Sequence, residues 1–316
     1  MAWADSRSLA TSLASTLRNE CNDQLSEIAW FRADWQRGGA ATGHAVFTEA
    51  DGETPVVVKF PVGQRELRWT RRLGVGDHAD PVAPRLFASG TAIGGYDLGW
   101  IVMERLPYGP LGQRWHARHI ERIAEAIANF HHATSTFEIH GHPRYEDWDD
   151  LLARSNRSVK VNRPDHRSRW SRALKAFAQR VDAFVDAWRA RPVTDWLHGD
   201  VHIANAMSRE AVDHGPVCLV DLAEVHPGHW VEDGIYLERQ LWARPSRMKT
   251  FKPVKALAEA RKALGLPIDD GYAELAMIRR GLYAATAPAF MKTEGNPRHL
   301  EACLDRLEFA MADVKR

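Results

Sequence analysis

The chain has 316 residues, enough to bury a large core and to divide into two lobes or domains. Lys and Arg number 42 against 41 Asp and Glu, so the formal net charge of +1 gives no overall pull toward nucleic acid or a membrane surface. Three widely separated cysteines, Cys21, Cys218 and Cys303, exclude a disulfide framework or a CxxC metal site. No segment has the apolar length of a transmembrane helix or the apolar centre of a signal peptide, so a cytoplasmic location is expected.

Residues 7–28 carry Leu9, Leu13, Leu17, Leu25 and Ile28 at loose helical spacing. Gly38-Gly39-Ala40-Ala41-Thr42-Gly43 follows as a glycine-rich turn. Two β-rich runs, His44–Phe47 and Pro55–Phe60, flank Asp51-Gly52 and predict a hairpin. Glu66–Leu73 predicts a helix closed by Gly74 and Gly76. Short strands are expected around Arg85-Leu86-Phe87 and over Leu98–Glu104. From residue 119 the period changes: Ile120, Ile123, Ala124, Ile127, Ala128, Phe130 and His131 mark an amphipathic helix. Residues 147–190, rich in Arg and Trp, predict two more helices, short apolar runs flank residues 198–205, and from residue 231 the pattern is helical up to a last helix at 298–314. A β-rich first part and an α-rich second part argue for an α+β protein of two lobes. The expected division is an antiparallel sheet lobe with one helix over residues 1–105 and a mainly helical lobe over 106–316.

The segment Leu197-His198-Gly199-Asp200-Val201-His202-Ile203-Ala204-Asn205 and the run Val217–Val220 ending in Asp221 carry the chemistry. Phosphoryl transfer from a nucleotide needs a group that accepts or orients a hydroxyl proton and two oxygen ligands for the metal on the phosphates. Asp200 suits the first role, and Asn205 and Asp221 the second, because Mg²⁺ favours a few protein oxygens together with phosphate. Asp200 and Asn205 have the spacing of the protein-kinase catalytic loop, with Gly199 where those kinases carry Arg. Lys59 ends a Val-Val-Val run and could reach phosphates, with Glu66 as its ion-pair partner. Gly39 and Thr42, in the glycine-rich turn, are the candidates for a loop whose N–H groups cover phosphates. Met103-Glu104 would form a lobe connector whose backbone meets an adenine edge. There is neither a Walker motif nor GxGxxG, which excludes P-loop and Rossmann readings.

Three other features compete. His198, His202, His226 and His229 allow a zinc hydrolase, although HExxH is absent. The basic stretch from Arg154 to Arg172 would receive an anionic substrate, whereas Asp221, Glu224, Glu232, Asp233 and Glu238 would attract a cation. A non-catalytic nucleotide-binding module is the remaining alternative.

His198-Gly199-Asp200-Val201-His202-Ile203-Ala204-Asn205, the strand ending at Asp221, the Lys59 strand and Trp100–Glu104 together resemble the aminoglycoside phosphotransferase and choline kinase-like superfamily. Glu232-Asp233-Gly234 to Leu241 resembles the helix after that family's metal-binding segment, while Glu224 falls one place later than the family's acid. The resemblance implies a bilobal protein-kinase-like fold, ATP or GTP as co-substrate with Mg²⁺, Asp200 as catalytic base, Asn205 and Asp221 on the metal, and Lys59 on the α/β-phosphates positioned by Glu66. It also implies an aminoglycoside-, amino alcohol- or sugar-like small molecule as hydroxyl acceptor, with neither nucleic acid nor membrane as partner. It leaves the acceptor, the choice of nucleotide and the oligomeric state open.

Overall fold

The computed structural model describes residues 6–31, 39–75, 82–112, 118–211, 215–248 and 251–313. It divides into two compact units, Met1–Trp115 with Ile203–Val225, and His116–His202 with His226–Arg316.

In the first unit α1 (Ser6–Ser12) and α2 (Ala14–Glu20) precede β1 (Ala29–Phe31), β2 (Ala41–Glu49) and β3 (Gly52–Val62), then α3 (Gln64–Leu73), β4 (Leu86–Gly90) and β5 (Gly99–Glu104). The strands form one antiparallel sheet in the order β1-β2-β3-β5-β4. Alternation in β3 sends Val56, Val58 and Phe60 to one face, where they pack with Leu17, Leu25, Phe47, Trp100 and Val102. Lys59 is out of phase with these residues and so faces the other side. A register shift between Lys59 and Val62 lets Val62 join Ile101 and Leu67 of α3. The helix buries Leu67, Trp69 and Leu73, each contributing about 1.5–3 kcal/mol, and this fixes Glu66 in its first turn. A Cβ at Gly74 would lie 2.7 Å from the Thr70 carbonyl oxygen, so the close packing at the end of α3 requires glycine. Gly76 lies outside the described residues.

The expected helical stretch over 7–28 is two short helices followed by an extended segment, because Asn22 and Asp23 take positive φ and end the helical path. The unit also extends past the expected boundary at residue 105. Tyr108 pairs with Ser208, and the Leu111 N–H donates to the Ala206 carbonyl at 3.1 Å, which ties residues 106–112 to the ladder of Ala206–Ser208 and Val217–Leu219.

The second unit is mainly helical: α4 (His119–Thr134), α5 (Trp148–Asn162), α6 (Arg167–Ala178), α7 (Val181–Arg189), α8 (Val231–Arg239), α9 (Pro253–Ala263), α10 (Tyr272–Thr286), the one-turn α11 (Met291–Glu294) and α12 (Pro297–Asp313). A short ladder pairs Asp195–Leu197 with His226–Gly228. Residues 147–190 form three helices rather than two. Arg163, at φ +47°, and Pro164 stop α5, and a second break falls between Ala178 and Val181. Trp148, Trp170, Phe177, Trp188, Leu282 and Leu304 fill the core. Within the basic stretch Arg169 holds Asp305 at 2.8 Å and Glu308 at 2.6 Å on α12, while Arg154, Arg157, Arg167 and Arg172 are exposed, so the stretch is a brace and a solvated face. No helix among the described residues is long and apolar enough to cross a membrane.

Candidate active site

In the first unit the Lys59 ammonium lies 2.6 Å from Glu66 Oε1 and 3.0 Å from Asp221 Oδ1. The packing of α3 supplies the first partner, and the ladder supplies the second: the Val220 N–H donates to the Asn205 carbonyl at 2.9 Å, so Asn205 and Asp221 leave the same end of the two strands. Burial works against the lysine charge, but the Glu66 and Asp221 carboxylates outweigh it and hold the Lys59 pKa above its ordinary value. Burial, reinforced by the nearby Asp221, pushes Glu66 up against the pull of Lys59. Asp221 sits at φ +67°, a left-handed conformation that Asp tolerates better than most residues. Its side chain is 39% exposed, so a ligand can reach it while Lys59 and Glu66 stay enclosed. One carboxylate and one carboxamide at a single ladder end suit Mg²⁺, which keeps waters and phosphate oxygens in its shell.

In the second unit one face of α8 holds the loop at residues 198–201. Asp233 accepts from the His198 N–H at 2.9 Å and the Gly199 N–H at 3.0 Å. Tyr236 donates to Asp200 Oδ1 at 2.5 Å. Gln240, just past the helix end, donates to the Val201 carbonyl at 2.8 Å. These three positions follow one another at i, i+3 and i+7, a single stripe of a helix. Behind Asp233 stands His131, whose Nε2 is 3.1 Å from Asp233 Oδ2. Arg261 Nη1, which can only donate, lies 2.9 Å from His131 Nδ1, and this assigns the ring proton to Nε2. Gly199 takes φ +77°, which explains why an arginine does not stand there.

Burial and the Asp200 carboxylate push the Tyr236 phenol far above its ordinary range, so it remains a donor at any working pH. Held through Oδ1, Asp200 keeps a second oxygen in a fixed direction. Tyr236→Phe is expected to lower kcat by about tenfold, the value of one hydrogen bond to a charged group, with the KM for nucleotide unchanged. Steady-state kinetics would check this, and a rise in the nucleotide KM at constant kcat would remove Tyr236 from this role.

The other expected positions fall out differently. Ala41–Gly43 belong to β2 rather than to a loop, and Gly38 lies outside the described residues. A Cβ at Gly43 would meet Ile28 Cγ2 at 2.4 Å, so this glycine serves strand packing. Thr42 pairs with Lys59 in the sheet, and the Gly39 carbonyl accepts from Ser6 Oγ at 2.9 Å. The Glu104 N–H donates to Arg85 O at 2.8 Å and the Arg105 N–H to Pro55 O at 3.0 Å, so neither amide is a spare donor for a purine. Met103 is an interior strand residue paired with Val57 and Leu86. The Glu104 carboxylate is clamped by Arg209 through Nε at 2.8 Å and Nη2 at 2.5 Å.

The acidic group is used internally. Glu232 holds Arg191 at 2.9 Å, Glu238 holds Arg280 at 2.7 Å, and Asp233 holds the loop. His198 is buried edge-on against Phe130, and His229 pairs with Asp269 at 2.8 Å. Among the described residues no group of three or more His, Cys, Asp or Glu side chains is placed to hold a metal, so the zinc reading finds no ligand set there. Sequence reasoning missed Tyr236, Gln240, His131 and Arg261. The polar stripe on α8, between apolar Ile235, Leu237 and Leu241, was the available signal for the first two.

A family model described as "Phosphotransferase enzyme family" matches residues 25–277. No curated protein matches the chain. Among solved structures, an aminoglycoside phosphotransferase from Alicyclobacillus acidocaldarius aligns with a TM-score of 0.60 at 16% identity, covering 92% of each chain. A spectinomycin phosphotransferase solved with ADP and spectinomycin aligns at 0.56 and 11% identity, covering 97% of this chain and 98% of the other. The GDP complex of an aminoglycoside 2'-phosphotransferase aligns at 0.52 and 11% identity, covering 97% and 99%. These likenesses show a shared kinase-like fold.

Proposed function

The chain belongs to the phosphotransferase enzyme family, and we propose that it transfers the γ-phosphoryl group of ATP or GTP to a hydroxyl of a small molecule, with Mg²⁺. The observation that carries this reading is the Lys59 ammonium held between Glu66 and Asp221. It fixes a cation on the sheet and sets it beside a carboxylate suited to a metal, the pair that a nucleotide's phosphates require. Relatives of the same fold solved with ADP and with GDP lend support to a nucleotide co-substrate.

In this reading Asn205 and Asp221 hold Mg²⁺, which when bound neutralises charge on the phosphates. Lys59 holds the α- and β-phosphates and Glu66 keeps Lys59 in place. The acceptor oxygen bonds to the γ-phosphorus as the bond to the β,γ-bridging oxygen breaks. The hydroxyl proton passes to Asp200, and the nucleoside diphosphate leaves with the bonding electron pair. The transition state is loose, so positioning and fixed charge supply most of the acceleration.

Thermal-shift measurement with ATP and GTP, each with and without Mg²⁺, tests the reading. Binding to the native state raises Tm by linkage, and a Mg²⁺-dependent rise with at least one nucleotide is expected. Asp221→Ala should abolish it. An equal rise in that variant would take Asp221 out of the metal site, and no rise with either nucleotide would overturn the proposal.

A further inference from the structure

Two ion pairs join the sheet of the first unit to the ladder of Ala206–Ser208 and Val217–Leu219. One is Lys59–Asp221 at 3.0 Å. The other lies toward the opposite end of the ladder, where Arg209 follows Ser208 and grips Glu104, the last residue of β5. Lys59 pairs with Ile101 in the sheet, and Glu104 stands three residues further along β5, about 10 Å away. Asn205 and Asp221 leave the ladder at its first end and Arg209 leaves it at the second. Sheet and ladder are thus pinned at two points, and the proposed metal ligands stand at one of them.

The second pin is built more firmly than a surface ion pair. The planar guanidinium donates to both Glu104 oxygens, from Nε at 2.8 Å and from Nη2 at 2.5 Å, a fork that fixes orientation as well as distance. Nη1 donates to Cys218 Sγ at 3.0 Å, and Nη2 reaches the Ala83 carbonyl at 3.3 Å. Glu104 Oε2 also accepts the Arg85 N–H at 3.1 Å. The Arg209 and Glu104 side chains are only 27% and 18% exposed, so salt and water screen them less than a surface pair. The ladder's backbone bonds, by contrast, run to Val82, Tyr108 and Leu111, which lie outside the strands of the sheet. The two pins also differ in what a nucleotide does to them. In the phosphotransferase reading Lys59 turns to the phosphates and Asp221 to the metal, so their direct contact gives way. Glu104 and Arg209 take no part in that exchange.

We infer that Arg209 is a positioning residue for the metal-bound nucleotide. Its grip on Glu104 keeps the ladder in register with the sheet, and so keeps Asn205 and Asp221 opposite Lys59, once the Lys59–Asp221 contact opens. The inference rests on the phosphotransferase reading above. The test is calorimetric titration of the full-length protein with ADP and with GDP, each in Mg²⁺ and in EDTA, well below Tm and with circular dichroism to confirm folding. For the nucleotide that the wild type binds, Arg209→Met is expected to raise the Kd in Mg²⁺ about tenfold, the lower end of what groups that hold metal ligands in place contribute. The Kd in EDTA should change by less than about twofold, because binding without the metal does not call on Asn205 or Asp221. Arg209→Lys should fall between, since a lysine keeps the charge but not the fork. A role in stability alone would leave both affinities of the folded protein unchanged. Unchanged affinity in Mg²⁺, or an equal loss in Mg²⁺ and in EDTA, overturns the inference. Should Arg209→Met not fold, Arg209→Lys carries the same comparison with the same overturning results. A wild type whose affinity for neither nucleotide rises with Mg²⁺ defeats the underlying reading, whereas a Mg²⁺-dependent wild type with an insensitive Arg209 defeats this inference alone.

Discussion

Asp200→Asn is expected to lower kcat for phosphoryl transfer by about 10²–10⁴-fold, the usual contribution of a general base, and to leave nucleotide affinity within about twofold. The substitution conserves shape. The carboxamide oxygen can still accept the Tyr236 hydroxyl that now lies 2.5 Å from Oδ1, and the loop keeps its Asp233 and Gln240 anchors. What is lost is the negative charge on the oxygen proposed to take the acceptor's proton. The groups proposed to bind the nucleotide, Lys59, Asn205 and Asp221, belong to the first unit, whereas Asp200 belongs to the second. Nucleotide titration and turnover should therefore separate cleanly in this variant. Parallel loss of both would show that Asp200 belongs to the binding apparatus instead.

The parts of this molecule legible in the sequence are those fixed by local chemistry. The Asp51-Gly52 hairpin, the helix that carries Glu66 in its first turn and the short strand that ends two residues before Asp221 each follow from periodicity and turn residues a few positions apart. The Lys59–Glu66 contact was legible for the same reason: a strand residue and the first turn of the next helix lie only seven positions apart. Glu104 was not, because its partner Arg209 is 105 positions away and no local pattern announces a clamp. The same holds for His131, which reads as one more residue on a helix face until Asp233, 102 positions later, is seen beside it. Gly43 misled for a different reason. A glycine needed because a neighbouring side chain comes close is indistinguishable in sequence from one needed for loop freedom. The acidic cluster was over-read because spacing alone does not reveal that Arg191 and Arg280 already occupy Glu232 and Glu238.

The second large effect is expected away from the reacting atoms, at Asp233. Asp233→Ala removes the acceptor for two loop amides and for His131 Nε2, all buried. Each orphaned buried donor costs about 1–3 kcal/mol, so a loss of about 3–5 kcal/mol is expected, a large share of the 5–15 kcal/mol that ordinarily holds a domain folded. Asp233→Asn retains one accepting oxygen but turns an NH₂ group toward a donor, and should fall between the wild type and Asp233→Ala. The wild-type residue also predicts a pH dependence. Burial works to raise the Asp233 pKa, but the hydrogen bond from His131, the His198 ring and the Gly199 amide outweigh it and hold the pKa below the ordinary carboxylate value. A depressed folded-state pKa means that the unfolded chain takes up this proton at a higher pH than the native one. The stabilisation from Asp233 is therefore complete above the ordinary carboxylate range and is lost as pH falls through it toward the lower native value. Thermal melts of wild type and Asp233→Asn between neutral and acid pH should converge as pH drops. A constant gap between the two curves would mean that the charge on Asp233 contributes nothing and that its shape alone holds the loop.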